Sequence, residues 1–413
     1  MNDFIADPAT YAKGVPHEHF AGLRAAGGVT WTDEPALWRH SAVGRTLQRG
    51  TGFWAVTAHD AIIEASRRPE DFSSAAKGAF LVDPRTVADL NTARQLLVNM
   101  DAPQHSRIRK LVTSVFTPRA MRELSESVHQ HAAQIVERAM AAGTFDGVTD
   151  LAAELPLLVL SDLLGMPRED RHLLYRWSNN LVGFDDPEYG GGDIEAYRAT
   201  FGEAFKYALG IAFERRENPR DDLISLLANA QVDGKRLADR EFCQFWLLLV
   251  VAGNETTRHL ISNSVQMLLA DPALQTALGD SPVNLAVEEF IRAVTPIMQF
   301  RRTATRDVTL AGQHIASGDK VVLYYVSGNR DKAVFDEPDT INLRRDPNPH
   351  LSFGIGPHFC LGAHLARMEA AAMLQALRPH LSRLRHAGPV VRLESNFVNG
   401  IKAMPLHVEG SPH

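Results

Sequence analysis

A single cysteine stands in a segment that is rich in glycine. Residues 353–362 read Phe-Gly-Ile-Gly-Pro-His-Phe-Cys-Leu-Gly, just before an alanine-rich helical pattern. Glycines allow tight turns and a close approach of the backbone to a bulky group. A cysteine at the start of a helix is expected to have a lowered thiol pKa, because unpaired amides and the helix dipole favour the thiolate. Cys360 is therefore a candidate nucleophile or metal ligand.

Other interpretations of this loop fit the residues less well. A dinucleotide-binding fingerprint would need a third glycine at the position that Phe359 occupies. The chain has two cysteines, Cys243 and Cys360, which excludes a disulfide framework and a four-cysteine zinc site. A buried structural cysteine after a glycine-rich turn is the remaining alternative.

The complete ten-residue pattern resembles the haem-binding loop of the cytochrome P450 family. The resemblance implies that the Cys360 thiolate binds the iron of haem b, and it extends along nearly the whole chain. It also implies a mainly α fold, with a large helical domain, a long central helix and small β-sheets. We expect one such domain over residues 1–413.

The sequence Glu-Phe-Ile-Arg from Glu289 to Arg292 matches the family's ExxR pair. On a helix these two positions are neighbours and can form an ion pair. The motif alone is weak, because it also begins at Glu64, Glu195, Glu217 and Glu255. Its position before Pro296 and 71 residues before Cys360 (360 − 289) singles out Glu289. The implied role is structural: the pair holds the loop that carries the haem ligand.

Haem carries two carboxylates, and the resemblance assigns four residues to bind them. His105 and Arg109 are four positions apart and therefore share one side of a helix. Arg302 and His358 match the other propionate contacts, with Arg301 as a near-equal competitor of Arg302. For each residue alone, an ordinary surface or capping charge is the alternative.

Residues 239–271 contain no proline before Asp271 and are apolar nearly all round in their first half. Such a helix would be about 45 Å long and would run through the core. Small and polar residues, Gly253 to Thr257, interrupt it in the middle, as happens at working sites.

The resemblance places this segment over the haem. Gly253 would leave room for dioxygen, Thr256 would bond back to a carbonyl and also bind dioxygen, and Glu255 would relay protons. The alternative is a simple helix kink with an exposed Glu255 paired to Arg258.

Other patterns outline the rest of the fold. Apolar positions three and four apart predict helices over 118–142 and 151–164. Alternation and turn residues predict a small β-sheet within 307–331, and short strands again in 390–408.

Composition excludes several classes of protein. A charged fraction of 22% and a hydrophobic fraction of 45% are ordinary for a globular protein and exclude disorder. A net charge of −6 gives no reason to expect nucleic acid or an anionic membrane as partner. The most apolar stretch, 245–252, is shorter than the roughly 20 residues of a membrane span, and no secretory signal is visible, so we expect a cytoplasmic protein.

The resemblance implies a monooxygenase that inserts one atom of O2 into a C–H bond. The chain has no cysteine cluster, so electrons are expected from a separate ferredoxin with its ferredoxin reductase, and the enzyme is expected to be a monomer. A basic docking patch near Cys360 could steer an acidic ferredoxin, although scattered solvated charges are the alternative. Its candidate members are Arg107, Lys110, Arg344, Arg345 and Arg367.

Family position also predicts a mostly apolar substrate pocket, which suits a hydrophobic molecule held by shape. Its expected members are Phe80, Leu81, Val250, Ala252, Ile297, Met298, Gln299 and Ile401. The chain resembles bacterial members that oxidise terpenoids, steroid side chains or fatty and branched alkyl chains. The alternative function is a non-catalytic haem-thiolate protein that binds or senses a lipophilic ligand. The Glu255–Thr256 pair favours the enzyme.

Overall fold

The structure is a computed structural model that describes residues 4–42, 44–113, 118–220, 222–232 and 235–410. Its α-helices, in chain order, are α1 (His17–Ala25), α2 (His59–Ser66), α3 (Val87–Ala93), α4 (Gln104–Thr113), α5 (Pro118–Ala142), α6 (Glu154–Leu164), α7 (Arg171–Val182), α8 (Ile194–Glu217), α9 (Leu223–Asn229), α10 (Asp239–Ala270), α11 (Pro272–Asp280), α12 (Val283–Val294), α13 (Tyr325–Gly328) and α14 (Ala363–Leu377). The predicted helix over 118–142 is confirmed as α5. The next predicted helix begins later, at Glu154, because a wide π-helical turn occupies Gly147–Ala152.

The strands are short. They are β1 (Val29–Thr32), β2 (Leu37–Ser41), β3 (Gly44–Gln48), β4 (Phe53–Val56), β5 (Phe72–Ser73), β6 (Thr144–Asp146), β7 (Gln231–Val232), β8 (Lys235–Arg236), β9 (Phe300–Ala304), β10 (Val308–Leu310), β11 (Gln313–Ile315), β12 (Lys320–Leu323), β13 (Leu384–His386), β14 (Val391–Arg392), β15 (Ile401–Ala403) and β16 (Pro405–Val408). The predicted strands within 307–331 and 390–408 are present, but the first of these segments ends in helix α13.

One five-stranded sheet has the strand order β1-β4-β12-β9-β5, and its strand β9 carries the candidate site residue Arg302. Strand β12 runs parallel to β4 and antiparallel to β9, where Val321 lies opposite Arg302. The remaining strands form small separate sheets, among them the hairpin β14–β15 and the three-stranded sheet β13-β16-β6. The mainly α fold with small sheets is therefore as predicted.

The long central helix α10 belongs to two apolar clusters. Its first half, which includes Trp246 and Val250, packs into a cluster with α6, α7, α8 and α9. Its second half, which includes Leu260 and Val265, packs into a cluster with α5, α12 and α14. Apolar residues on every side of the first half explain why it runs through the protein interior. None of the described helices is both long and apolar enough to cross a membrane.

Candidate active site

The cysteine loop is shaped by two glycines in the left-handed region. Gly354 has φ 70° and Gly356 has φ 73°, which side chains with a Cβ rarely adopt. A Cβ on Gly356 would also lie 2.6 Å from the carbonyl oxygen of Ser66. The loop closes with a hydrogen bond of 2.8 Å from the Cys360 N–H to the Phe353 carbonyl, and α14 begins three residues later.

The environment of the Cys360 sulfur differs from the sequence expectation in one respect. The residue has accessible surface, but protein surrounds it densely enough for burial to raise the pKa of its thiol. The Gly362 N–H and the cations Arg109 and Arg367 act in the opposite direction and are outweighed. The helix start alone therefore does not produce a thiolate, whereas a bound metal cation deprotonates a coordinating thiol.

Glu289 and Arg292 lie at the centre of a buried hydrogen-bond network. Both are fully buried, and Arg292 donates to the two carboxylate oxygens at 2.7 and 2.8 Å. Arg292 also donates to the carbonyls of Asn329 and Pro338, both at 2.8 Å. Although burial alone would raise it, hydrogen bonds from Arg292 hold the pKa of Glu289 below its ordinary value.

The same carboxylate fixes the chain that leads to the cysteine loop. Glu289 accepts from the Asn342 N–H at 2.8 Å and from Arg345 and Asn348 at 3.1 Å each. Ser352 donates to the Ile291 carbonyl at 2.7 Å, next to Phe353. These contacts are what the predicted structural role of Glu289 and Arg292 requires.

Four basic residues converge beside the cysteine loop. The rings of His105 and His358 lie 4.3 Å apart, and Arg109 donates to the Phe359 carbonyl at 2.6 Å. Burial, followed by the charges of Arg302, His105 and Arg109, lowers the pKa of His358 to about 2. Burial and the Arg109 charge also lower the pKa of His105. The cluster therefore disfavours further positive charge and favours an anion.

The donor set fits the two carboxylates of haem. The His105 Nε2 atom is buried without a hydrogen-bond partner. Within the described ranges, Arg109 and Arg302 form no ion pair with a carboxylate and donate instead to backbone carbonyls. Arg301, in contrast, forms an ion pair of 2.8 Å with Asp83. The ion pair of Arg301 favours Arg302 as the propionate contact, and that assignment stays a prediction.

Helix α10 presents an accessible face at its centre. Ala252 is exposed and Thr256, one turn later, is half-buried, although the helix is mostly buried around them. The Thr256 hydroxyl donates to the Ala252 carbonyl at 2.8 Å, the backward bond expected from the sequence. A Cβ on Gly253 would lie 2.8 Å from the Leu160 side chain of α6. A small residue here therefore eases the packing of α10 against α6, and the predicted space for dioxygen stays a prediction.

Glu255 is buried in a polar network rather than exposed. Its carboxylate lies 2.5 Å from Arg258 Nη2 and 3.3 Å from His259 Nε2. Arg258 in turn donates to Asn179 Oδ1 on α7 at 2.7 Å, and Asn254 donates to Ser178 Oγ at 2.7 Å. Burial would raise the pKa of Glu255, but Arg258 and His259 hold it below its ordinary value. The alternative of an exposed glutamate fails, although its ion pair with Arg258 exists.

Only part of the predicted substrate pocket has accessible surface. Ala252 and Phe80 are exposed, and Ile297 is half-buried. Phe80 packs edge-on against Phe397, with ring centroids 5.3 Å apart, and Phe397 contacts Phe300 in the same manner. Phe80, Phe300 and Phe397 thus form one aromatic group, which only the folded chain brings together.

The other predicted pocket residues lie in the packed interior. Each belongs to an apolar cluster or is fully enclosed: Leu81, Val250, Met298, Gln299 and Ile401. Val250 precedes Ala252 by two positions, which on a helix directs it to the other side. Gln299 is buried with neither amide atom hydrogen-bonded. The structure therefore corrects the pocket assignment of the four apolar residues.

The predicted basic patch is smaller than expected. Arg345 is buried against Glu289, and Arg367 makes a two-point contact with Glu288 at 2.5 and 2.9 Å. Arg344 donates to the carbonyl of Asp280, and Arg107 pairs with Glu241 at 3.4 Å. Arg345 is thus excluded from any docking surface.

Comparison with known proteins supports the same assignment. The family model described as cytochrome P450 matches residues 283–385, which contain α12, the cysteine loop and α14. The chain is 39% identical to a steroid C26-monooxygenase of Mycobacterium tuberculosis, over 98% of this chain and 92% of the relative. It is 38% identical to a methyl-branched lipid omega-hydroxylase of the same species, over 86% and 84% of the two chains.

Solved structures agree in fold over almost the entire chain. A Mycobacterium marinum cytochrome P450 in complex with pseudoionone is 38% identical, with a TM-score of 0.84 over 95% of this chain and 94% of that one. A Bacillus megaterium P450 in complex with testosterone is 30% identical, with a TM-score of 0.79 over 96% and 99%. The chain therefore belongs to the cytochrome P450 family: it has the fold predicted from its sequence, its cofactor is haem b, and it is a monooxygenase.

Proposed function

We propose that this enzyme hydroxylates a C–H bond of a lipophilic molecule with O2, taking its electrons from a separate ferredoxin and ferredoxin reductase. The relatives named for steroid and methyl-branched lipid oxidation support this substrate class, as do the structures named with pseudoionone and testosterone. A steroid side chain, a terpenoid or a branched alkyl chain is the expected substrate. The proposal includes a single-domain monomer in the cytoplasm, without a nucleic-acid partner.

The observation that carries the proposal is the accessible centre of α10. An exposed Ala252 on a helix that is mostly buried around it marks an accessible face at that point, where a substrate and dioxygen could be received. A hydroxyl, Thr256, stands at the same face, and a buried carboxylate, Glu255, is the next residue along the chain. Polar groups that break the local rules in the middle of a core helix are expected at functional sites.

The residues that would hold the cofactor have distinct tasks. Cys360 Sγ would bind the iron, and His105, Arg109, Arg302 and His358 would bind the two propionates. Haem b, when bound, supplies the activation and reduction of dioxygen. The Glu289–Arg292 network keeps the cysteine loop in place, so the sulfur does not depend on the cofactor alone for its position.

Proton delivery is assigned to two neighbouring side chains. Glu255 is an ionised carboxylate held by Arg258, so it can accept a proton at Oε and release it again. The Thr256 hydroxyl is bonded to the Ala252 carbonyl, and rotation of its side chain would direct the O–H toward the accessible face. Thr256 would thus pass protons from Glu255 to the reaction site.

Substrate recognition rests mainly on shape. The accessible or partly accessible side chains Phe80, Ile297, Phe300 and Ala252 are apolar. A pocket of this kind excludes water and selects by fit, with few polar contacts to fix orientation. A hydrophobic substrate with little hydrogen-bonding capacity matches this surface better than a charged one.

The test uses the haem-loaded enzyme with ferredoxin, reductase and NAD(P)H. A panel of steroids, terpenes and branched fatty acids is first screened by the haem spin-state shift, and the best ligand is then followed for product and peroxide. Thr256→Ala should divert electrons from product to peroxide, whereas Thr257→Ala, at a buried neighbouring threonine, should do so much less. Unchanged product yield in Thr256→Ala would show that protons reach the site by another route.

Cys360→Ser tests the cofactor ligand in the same preparation. The reduced, CO-bound protein should lose the absorption band of a thiolate ligand. If the band persists, the assignment of Cys360 is wrong. A spectral shift with every ligand but no product from any of them would favour the alternative, a binding or sensing protein.

A further inference from the structure

His259 lies one helical turn after Glu255 and contacts two different parts of the site. It is fully buried on α10, and its Nε2 atom lies 3.3 Å from Glu255 Oε2. On the other side of the ring, the backbone N–H of Ile401 donates to Nδ1 at 3.3 Å. The ring thus stands between the acid of α10 and the first residue of β15.

The Ile401 contact determines which ring nitrogen carries the proton. A backbone N–H can only donate, so Nδ1 accepts and the proton of the neutral ring lies on Nε2. Arg258 Nη2 also lies 3.2 Å from Nε2, but its much shorter contact of 2.5 Å with Glu255 Oε2 directs its hydrogen bond to the carboxylate. Burial lowers the pKa of His259 to about 4, which keeps the ring neutral near pH 7. His259 Nε2–H and Arg258 Nη2 therefore both donate toward the same oxygen, Glu255 Oε2.

The hairpin β14–β15 is shaped to receive this ring. A Cβ on Gly400 would lie 2.9 Å from both Cε1 and Nε2 of His259, so that only glycine permits the approach. One turn further along α10, Asn263 donates to the Asn399 carbonyl at 3.0 Å and accepts from Arg392 at 3.2 Å. The hairpin is thereby joined to α10 at two successive turns.

We propose that His259 is a positioning residue that holds the Glu255 carboxylate through Nε2–H and ties it to the β14–β15 hairpin through Nδ1. The inference deepens the proposed function and rests on the role given there to Glu255. Without His259, the Glu255 carboxylate would keep its ion pair with Arg258 but lose the second hydrogen bond that fixes its orientation. The expected consequence is a carboxylate that is still present but less firmly held, and therefore less efficient in proton delivery.

Three variants separate the two contacts of the ring. His259→Gln can place an amide N–H near the position of Nε2, so it retains the donor to Glu255 and loses the acceptor for Ile401. His259→Asn can place an amide oxygen near Nδ1, so it retains the acceptor and cannot reach Glu255. His259→Leu removes both contacts at similar size. All three are compared with Glu255→Gln in haem-loaded enzyme.

The first measurement is the infrared band of the protonated Glu255 carboxyl, followed against pH and assigned by its disappearance in Glu255→Gln. Loss of one hydrogen bond to the carboxylate should raise the midpoint of this titration by roughly one pH unit in His259→Leu and His259→Asn, with recovery in His259→Gln. The charged and titratable groups that also face this pair are Arg258 on α10, Arg392 on β14 and Tyr189 in the chain between α7 and α8. These groups are unchanged in all variants.

The second measurement is the fraction of electrons lost to peroxide. This fraction should rise at least about twofold in His259→Leu and His259→Asn and should return toward the wild-type value in His259→Gln. Equal titration midpoints in all three variants would overturn the inference. If Glu255→Gln itself leaves the peroxide fraction unchanged, the proposed proton route is wrong, while a shifted titration midpoint would still support the contact. Absorption spectra and urea unfolding identify any variant that has simply failed to fold.

Discussion

Replacing Glu289 by glutamine tests the network beneath the cysteine loop. The carboxylate is fully buried and accepts from two arginines, Arg292 and Arg345, and from the Asn342 N–H and Asn348. A neutral amide would leave the fully buried Arg292 without a counter-charge. Breaking a buried pair from one side costs about 3–5 kcal/mol. We therefore expect the folded-to-unfolded ratio to fall at least roughly a hundredfold.

The adjacent Glu288 provides a matched control. Its carboxylate is half-buried and pairs with Arg367, which can still reach water when its partner is neutral. Glu288→Gln should therefore cost less than Glu289→Gln, because it leaves no fully buried cation without a counter-charge. Both variants have the same change of charge and lie on the same helix.

The assay is urea unfolding of the haem-loaded enzyme at pH 7, followed by circular dichroism and by the haem spectrum. Glu289→Gln should have a clearly lower midpoint with an unchanged slope, which is the sign of altered stability rather than altered compactness. It should also lose the thiolate-type CO spectrum before the helices unfold, because the loop is released first. Midpoints that coincide for the two variants would refute the reasoning.

Three further results are expected. Gly356→Ala should impair haem incorporation, because a Cβ would meet the Ser66 carbonyl at a positive φ, whereas Gly279→Ala on α11, where a Cβ would meet no neighbouring atom, should load normally by haem titration. Arg302→Gln should weaken haem retention, measured by transfer to apomyoglobin, more than Arg301→Gln, whose partner is Asp83. Arg367 and His350 hold the pKa of Glu288 at about 2, below its ordinary value of 4.5, against the effect of burial. Because this pKa is lower in the folded than in the unfolded state, ionised Glu288 stabilises the fold fully above pH 4.5, and this stabilisation is lost as the pH falls toward 2. Glu288→Gln should therefore flatten the acid limb of a plot of unfolding free energy against pH.

The sequence was most informative where contacts are local. The cysteine loop, the Glu289–Arg292 pair and the back-bonded Thr256 each depend on residues within one or two helical turns. The bounds of α5 followed from its apolar spacing for the same reason. Such features depend on the spacing of residues that are close together in the sequence, so the sequence alone can predict them.

Features that depend on distant segments could not be predicted in this way. Gly253 packs closely against Leu160, more than ninety positions earlier, and Arg345 is buried by its contact with Glu289. The resemblance to the family predicted which sequence positions line the pocket, but it did not predict the direction of each side chain. Val250 and Met298 therefore turned out to be core residues, since burial is decided by neighbouring helices and strands.

The membership of α10 in two apolar clusters has a consequence for how such an enzyme can diversify. The cluster around Trp246 joins it to α7 and α8, whereas the one around Leu260 joins it to α14, the helix that follows Cys360. The former cluster also contains Ile108 of α4, the helix of His105 and Arg109, and packs against Leu361, the residue after Cys360, so repacking it would be transmitted to the sulfur ligand. Both halves of α10 are thus coupled to the chemistry at Cys360, and substitutions in either half are constrained by it.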